Sequence, residues 1–294
     1  MIHHLLFKKL FLDTKSPKHS YLFFWLSLLT AFLFSCGPTT PHFTKDKTNL
    51  VVNPILNPSA DTSMPFIIDG RPATDNDAVT AHTVSIFSHP GSSGCTGVII
   101  APHAVLTAAH CTANSDYFNI YFAKYFFAAN SELTISTKNK IVHEDYSEGE
   151  NDLAILFFEQ DLPTGYSPVS LAKDPKDSAT GQELIIAGYG VTKKTWLPSG
   201  DSYGTLNVGR SKIAFRLFDQ SRFYTMNIRD QASVCYGDSG GPAFIEKNNN
   251  LYLVGISSQG DWVPPIPACT FGANWTRISY YYDWIMEQLL KINP

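Results

Sequence analysis

Charge is the first thing this chain is short of. Lys and Arg number 22 against 26 Asp and Glu, giving a formal net charge of −4, and charged residues make up 16% of the 294. Without a basic stripe nothing is set to neutralise a phosphate backbone, which argues against a nucleic-acid partner. Long apolar runs are also missing. The stretch Tyr21–Ser35 (YLFFWLSLLTAFLFS) holds 15 residues, short of the roughly 20 that a membrane-crossing helix needs. Only five cysteines occur, with neither a C-x-x-C spacing nor a neighbouring His pair. The sequence therefore signals no zinc site and calls for no metal or cofactor. No histidine follows His143. Any imidazole chemistry must draw on the first half of the chain.

What is present is an ordinary globular composition, 44% hydrophobic over a length that buries a core with ease. Three short runs carry chemistry: Thr107-Ala-Ala-His110-Cys111, Asn151-Asp152-Leu153-Ala154-Ile155-Leu156, and Gly237-Asp238-Ser239-Gly240-Gly241-Pro242. They offer a nucleophile, a base and a carboxylate. A serine hydroxyl attacks poorly at neutral pH unless a neutral imidazole takes its proton and a buried acid fixes the imidazole tautomer. Each run alone has a bland reading, as a core histidine, a turn before a strand, or a glycine loop. The last run also fits G-x-S-x-G, the nucleophile elbow of α/β-hydrolases, but that fold places its His after the Ser. The residue order here excludes it.

Together, and in this order, the three runs resemble the signature segments of the chymotrypsin/trypsin family of serine proteases. The resemblance covers about residues 67–292. It implies His110 as general base, Asp152 as orienting acid and Ser239 as nucleophile, with the backbone N–H groups of Gly237 and Ser239 as an oxyanion hole. It also implies disulfides Cys95–Cys111 and Cys235–Cys269, and with them an oxidising compartment. Gly188-Tyr189-Gly190 is similar to the family's turn beside the site. The reaction implied is peptide-bond hydrolysis through an acyl-enzyme on protein or peptide substrates, by a monomer. The alternative is a catalytically inactive homologue serving as a cell-surface binding module. Such homologues usually lack a triad residue, and this chain lacks none.

Specificity in that family depends on the pocket floor, six residues before the nucleophile, here Ser233. With no acid there, a buried Lys or Arg would stay unpaired, so the pocket is expected to take aromatic or Leu-like side chains. Gly260 stands at its mouth, and Ala273, in place of the usual Gly, narrows one wall. Ser258 matches the position that supports the triad Asp, and Ser258–Gly260 is expected to pair with an extended substrate. Gln259 departs from the family's usual Trp. The loop from Asp261 to Ala268 is longer than the norm, and Asp261 offers a charge that a basic side chain can reach. Ile67-Ile68-Asp69-Gly70 resembles the family's mature N-terminus, whose freed amine pairs with the acid before the nucleophile, here Asp238. That makes the chain a zymogen cut after Phe66, a residue its own pocket accepts.

Upstream, Lys8, Lys9, Lys15 and Lys18 precede the apolar run, and Leu33-Phe34-Ser35-Cys36-Gly37 resembles a lipobox. Residues 1–36 are therefore expected to be a lipoprotein-type signal with Cys36 acylated, placing the protein in the cell envelope, on the outer membrane or cell surface. A plain secretory signal or a signal anchor remain the alternatives. Residues 37–66, with five prolines, read as a tether or propeptide.

From residue 67 short β runs alternate with turns: 82–88, 96–100, 118–122, 132–137 and 153–158, then 183–188, 211–218, 223–228, 242–246, 251–257 and 271–278. A helix is expected over about 279–290, with Tyr281, Trp284, Ile285 and Leu289 on one face. The fold class is all-β: a double six-stranded antiparallel barrel with a C-terminal helix, the first barrel about 67–171 and the second about 172–294. His82, His89, His103 and His143 are expected as surface or turn residues, and the aromatic stretch Tyr117–Phe127 as core and barrel surface.

Overall fold

The computed structural model describes residues 67–90, 93–192, 203–228, 230–260, 266 and 269–292. The signal-like segment with Cys36, the stretch through Phe66, and Asp261 lie outside the described residues.

Strands β1 (Arg71–Pro72), β2 (Thr83–His89), β3 (Ser93–Ala101), β4 (Ala104–Thr107), β5 (Tyr117–Tyr121), β6 (Thr134–Thr137), β7 (Lys140–Val142) and β8 (Ala154–Phe157) come first. Then follow β9 (Ser170–Leu171), β10 (Glu183–Gly188), β11 (Asn207–Arg216), β12 (Arg222–Met226), β13 (Pro242–Lys247), β14 (Asn250–Gly260), β15 (Gly272–Arg277) and the helix α1 (Ile278–Ile292). The first sheet runs β6-β5-β2-β3-β4-β8-β7. Its two edge strands, β6 and β7, are consecutive in the chain, so the sheet curls into a half-barrel joined by the short link through Asn139. In the second sheet the path β11-β10-β13-β14-β15-β12 closes because β11 also pairs with β12, giving a six-stranded barrel with β1 and β9 appended. This is the chymotrypsin-like double barrel with its C-terminal helix, the first barrel curled rather than fully hydrogen-bonded.

The strand pattern follows from alternation and β-branching. In β5, Phe118 and Ile120 point inward while Tyr117, Asn119 and Tyr121 are partly exposed, as period-two alternation requires. Strand β4 (AVLT) is buried along its whole length, so it shows no alternation, and at four residues it is too short to announce itself. In the second barrel Phe223 and Trp275 are fully buried and stacked 6.0 Å apart. Burying one such ring contributes about 2–3 kcal/mol. Helix α1 buries Ile278, Tyr281, Ile285 and Gln288. His143 departs from expectation. It is buried, stacked 4.8 Å from Trp284, and its Nδ1 accepts a hydrogen bond from the Asp145 N–H at 3.2 Å. Trp284 of the distant C-terminal helix supplies that shelter.

Candidate active site

His110 sits on one turn of 3-10 helix, Ala109–Cys111, directly after β4. Ala108 and Ala109 are fully buried, and a disulfide joins Cys111 to Cys95 on β3 with the Cα atoms 6.3 Å apart. Small residues and a cross-link thus hold the turn flat while the imidazole stays one-third exposed. Asp152 enters from the loop before β8. Its neighbour Asn151 takes a left-handed conformation at φ 49°, one that Asn tolerates better than most residues. The Asn151 Oδ1 accepts a hydrogen bond from the Tyr281 hydroxyl at 2.8 Å, and its Nδ2 donates to the Asp145 carbonyl at 2.9 Å.

The Asp152 carboxylate is nearly fully buried and saturated with donors. His110 Nδ1 lies 2.7 Å from Oδ2, the His110 N–H donates to Oδ1 at 2.9 Å, and the Ser258 hydroxyl donates to Oδ2 at 2.6 Å. Burial alone would push this carboxyl upward, but His110's hydrogen bond and charge, with the Ser258 hydroxyl, hold it below the usual carboxylate range. Ser258 reaches Asp152 because the β14–β15 register slips between Ser257 and Gln259. A β-bulge re-aims a side chain in this way. The Thr276 hydroxyl adds a bond to the Asp152 carbonyl at 3.1 Å, a partner the sequence reading missed.

Ser239 lies on the loop between the barrels' facing walls. The Ser239 carbonyl accepts the Thr96 N–H at 2.8 Å, and the Thr96 hydroxyl donates to the Gly237 carbonyl at 2.9 Å, so Thr96 on β3 fastens the loop from the opposite barrel. Thr96 was also missed, since nothing local marks it. Glycine is required at two points of this loop. Gly237 has φ 92°, and a Cβ there would fall 2.9 Å from the Gly190 Cα and 2.7 Å from the Tyr203 ring. Gly240 has φ 79°, and its Cβ would fall 2.0 Å from the Thr107 hydroxyl. Within the loop the N–H groups of Asp238, Gly240 and Gly241 donate to the carbonyls of Cys235, Ser257 and Asp238. Among the described residues, those of Gly237 and Ser239 donate to none.

The structure brings His110 and Ser239 against the same disulfide sulfur. Cys111 Sγ lies 3.7 Å from His110 Nε2 and 3.7 Å from the Ser239 carbonyl oxygen. No hydrogen bond joins the Ser239 hydroxyl to Nε2 among the described residues, a contact that in such sites often tightens only when substrate is present. Cys95, Cys111 and His110 gather within 4.8 Å, but both sulfurs are spent in the disulfide and neither is a thiolate ligand.

The remaining expected residues lie in or against the second barrel. The disulfide Cys235–Cys269 is formed, and Gly260 pairs with Ala273 across β14 and β15. Ser233 is buried, with a hydroxyl that has no hydrogen-bond partner among the described residues. Ile67 is fully buried in the second barrel's core, and the Ile68 carbonyl accepts the Ser233 N–H at 2.9 Å. Asp238 is fully buried. Its Oδ1 accepts the Gly190 N–H at 2.8 Å and its Oδ2 the Cys235 N–H at 2.9 Å, with no cation beside it among the described residues. Burial pushes this carboxyl up to about 7, the two N–H groups offsetting only part of the effect.

The family model described as Trypsin matches residues 67–285. The chain belongs to the trypsin family. Its relatives include the trypsin of Saccharopolyspora erythraea, 28% identical over 76% of this chain and 98% of that protein. The chymotrypsin of Phaedon cochleariae is 26% identical over 81% of this chain and 87% of that protein. A match to the mouse transmembrane protease serine 11C, 28% identical, covers 66% of this chain but only 47% of that protein. At family level the trypsin-like chain is a serine endopeptidase with two disulfides. No helix among the described residues is long and apolar enough to cross a membrane.

Proposed function

We propose that this protein is a serine endopeptidase acting through His110, Asp152 and Ser239. The observation that carries the reading is a pairing. A buried carboxylate is bonded to Nδ1 of an accessible imidazole, and beside the adjoining disulfide stands a serine whose own N–H and that of Gly237 have no partner among the described residues. Asp152 holds the tautomer that leaves Nε2 free to accept a proton. His110 takes the Ser239 proton as Oγ bonds to the scissile carbonyl carbon, and the oxyanion forms against the Gly237 and Ser239 N–H groups. The imidazolium then protonates the leaving amine as the C–N bond breaks. Water repeats the sequence on the acyl-enzyme, releasing acid and restoring the serine.

The same reading extends to specificity and activation. Ser233, uncharged and buried, favours Phe, Tyr, Leu or Met before the cut, in a pocket shaped by Gly260, Ala273 and the Cys235–Cys269 bridge. Asp238 is a buried carboxylate without a counter-ion among the described residues, so it is costly to ionise. The amine released by cutting before Ile67 supplies the missing charge, which makes the chain a zymogen. We further take residues 1–36 as a lipoprotein signal acylated at Cys36, 37–66 as a tether or propeptide and 67–294 as the protease domain, monomeric and exported to the cell envelope.

Labelling with a fluorophosphonate probe tests the central claim. Protein beginning at Ile67 should be labelled, and the Ser239→Ala variant should not. Folded, cleaved protein that resists the probe would overturn the reading in favour of a binding module.

A further inference from the structure

The two sides of Ser239 differ in chemistry. One side is the end of β14, Ser258–Gly260, where the acyl part of a substrate would pair. Its exposed side chain is Gln259, near Gly149 of the facing loop, whose sequence neighbours Glu148 and Glu150 are both exposed. Among the described residues that side offers polar groups. The other side is β3, bonded to the Ser239 carbonyl through Thr96. There Gly94 leaves a gap filled from the second barrel: a Cβ on Gly94 would stand 1.5 Å from the Tyr203 hydroxyl oxygen, and one on Gly237 would stand 2.7 Å from its ring. Tyr203 therefore closes the notch between the barrels, on the side over which the leaving part of a substrate must pass.

Tyr203 is also the first ring of a series. Phe126 lies 6.3 Å from it, and Phe126 in turn packs on Phe127 at 4.8 Å, Tyr121 at 4.5 Å and Phe87 at 5.7 Å. The Phe126 N–H donates to the Gly204 carbonyl at 2.8 Å, tying the ring cluster to the segment that carries Tyr203. Phe127 is 77% exposed and packs on Phe126, so it presents an apolar face continuous with the other rings. Rings already held by one another lose little freedom when a ligand lands on them.

We propose that this aromatic ledge docks apolar and aromatic side chains of a polypeptide substrate C-terminal to the bond cut, so that the enzyme selects its substrates chiefly on the leaving-group side. The proposal rests on the endopeptidase reading above. Its occupant follows from continuity, because the ledge begins at the ring that stands against Gly237 of the nucleophile loop and extends through Phe126 to Phe127.

The test uses cleaved enzyme and two fluorogenic peptides identical except for the second and third residues after the cut, Leu-Phe in one and Gly-Ser in the other. Wild type should favour the Leu-Phe peptide by about tenfold in kcat/KM, the scale of one well-placed anchor. Phe127→Ser should reduce that ratio below about threefold. Phe218→Ser, fully exposed between β11 and β12 on the other barrel, should keep the wild-type ratio. Equal ratios in wild type and Phe127→Ser overturn the ledge. Enzyme that takes the fluorophosphonate label yet shows no preference overturns the ledge and spares the endopeptidase reading, whereas failure to label or cleave overturns both. Binding to anionic phospholipid vesicles that Phe127→Ser abolishes while the ratio stays unchanged would assign the ledge to a lipid surface instead.

Discussion

Asp152 and Asp238 are both buried carboxylates, and burial raises both, yet they end on opposite sides of the usual carboxylate range. Asp152 collects an imidazole, a backbone N–H and a hydroxyl, and is held below the usual range. Asp238 collects two backbone N–H groups and no charge, and is pushed to about 7. Desolvation is the largest influence on each. The partners decide the outcome. The lesson is that one carboxylate has its full complement of partners, while the other has no cation beside it among the described residues, which is what the proposed activation would supply.

The largest effect should come from breaking the completed side. Ser239→Ala and His110→Ala are each expected to lower kcat by on the order of 10⁶, and Asp152→Asn by about 10⁴ with the fold intact. Turnover of a peptide substrate measures all three, and a wild-type rate in any of them moves the chemistry elsewhere.

Breaking the unfinished side should cost less. Asp238→Asn in cleaved enzyme leaves the new amine unpaired and Gly237 poorly placed, a loss of about 10²–10³ in kcat, the scale of one oxyanion donor. The uncut chain supplies the sharper readout. Because the folded-state pKa of Asp238 lies above its ordinary value, the folded chain binds the extra proton, and stability falls as pH rises from about 4 to about 7. The fall is at most about 4 kcal/mol. Urea midpoints of the uncut Ser239→Ala protein at pH 4, 5.5 and 7.5 should descend, and Asp238→Asn should flatten the series. A flat series with Asp238 intact would falsify the uncompensated-charge account.

Specificity sharpens the same contrast between paired and unpaired charge. Ser233→Asp should shift preference toward Lys or Arg by at least about tenfold, since a buried cation then meets a partner. Profiling with peptides varied at the residue before the cut would show it. A wild-type preference for Arg or Lys would place the deciding charge on Asp261 instead.

The smallest change prunes one bond from Asp152. Ser258→Ala should cost about 1–3 kcal/mol of stability at neutral pH, as for a hydrogen bond to a charged group. Here the sign is reversed. A carboxyl held low contributes stability above the ordinary carboxylate range and loses it as pH falls through its own value. The gap between wild type and variant should therefore shrink by pH 2–3, measured by thermal unfolding. A gap independent of pH would detach Ser258 from the Asp152 charge.

Much of this was legible without coordinates. Most strands show themselves by alternation, α1 by its spacing, and the three polar residues of the centre by the small neighbours around them. These are local properties, carried by each stretch of chain whatever surrounds it. The short, wholly buried β4 was harder to see because a strand covered on both faces has no alternation to display. The tertiary structure alone decided the rest. The bulge that turns Ser258 onto Asp152, the Thr96 bridge to Ser239, the shelter of His143 under Trp284, and the Tyr203 ring between Gly94 and Gly237 all join residues from distant segments. The opposite fates of Asp152 and Asp238 have the same origin. Ionisation in a cleft depends on how much water is removed and which dipoles replace it, and those are set by neighbours that only folding assembles.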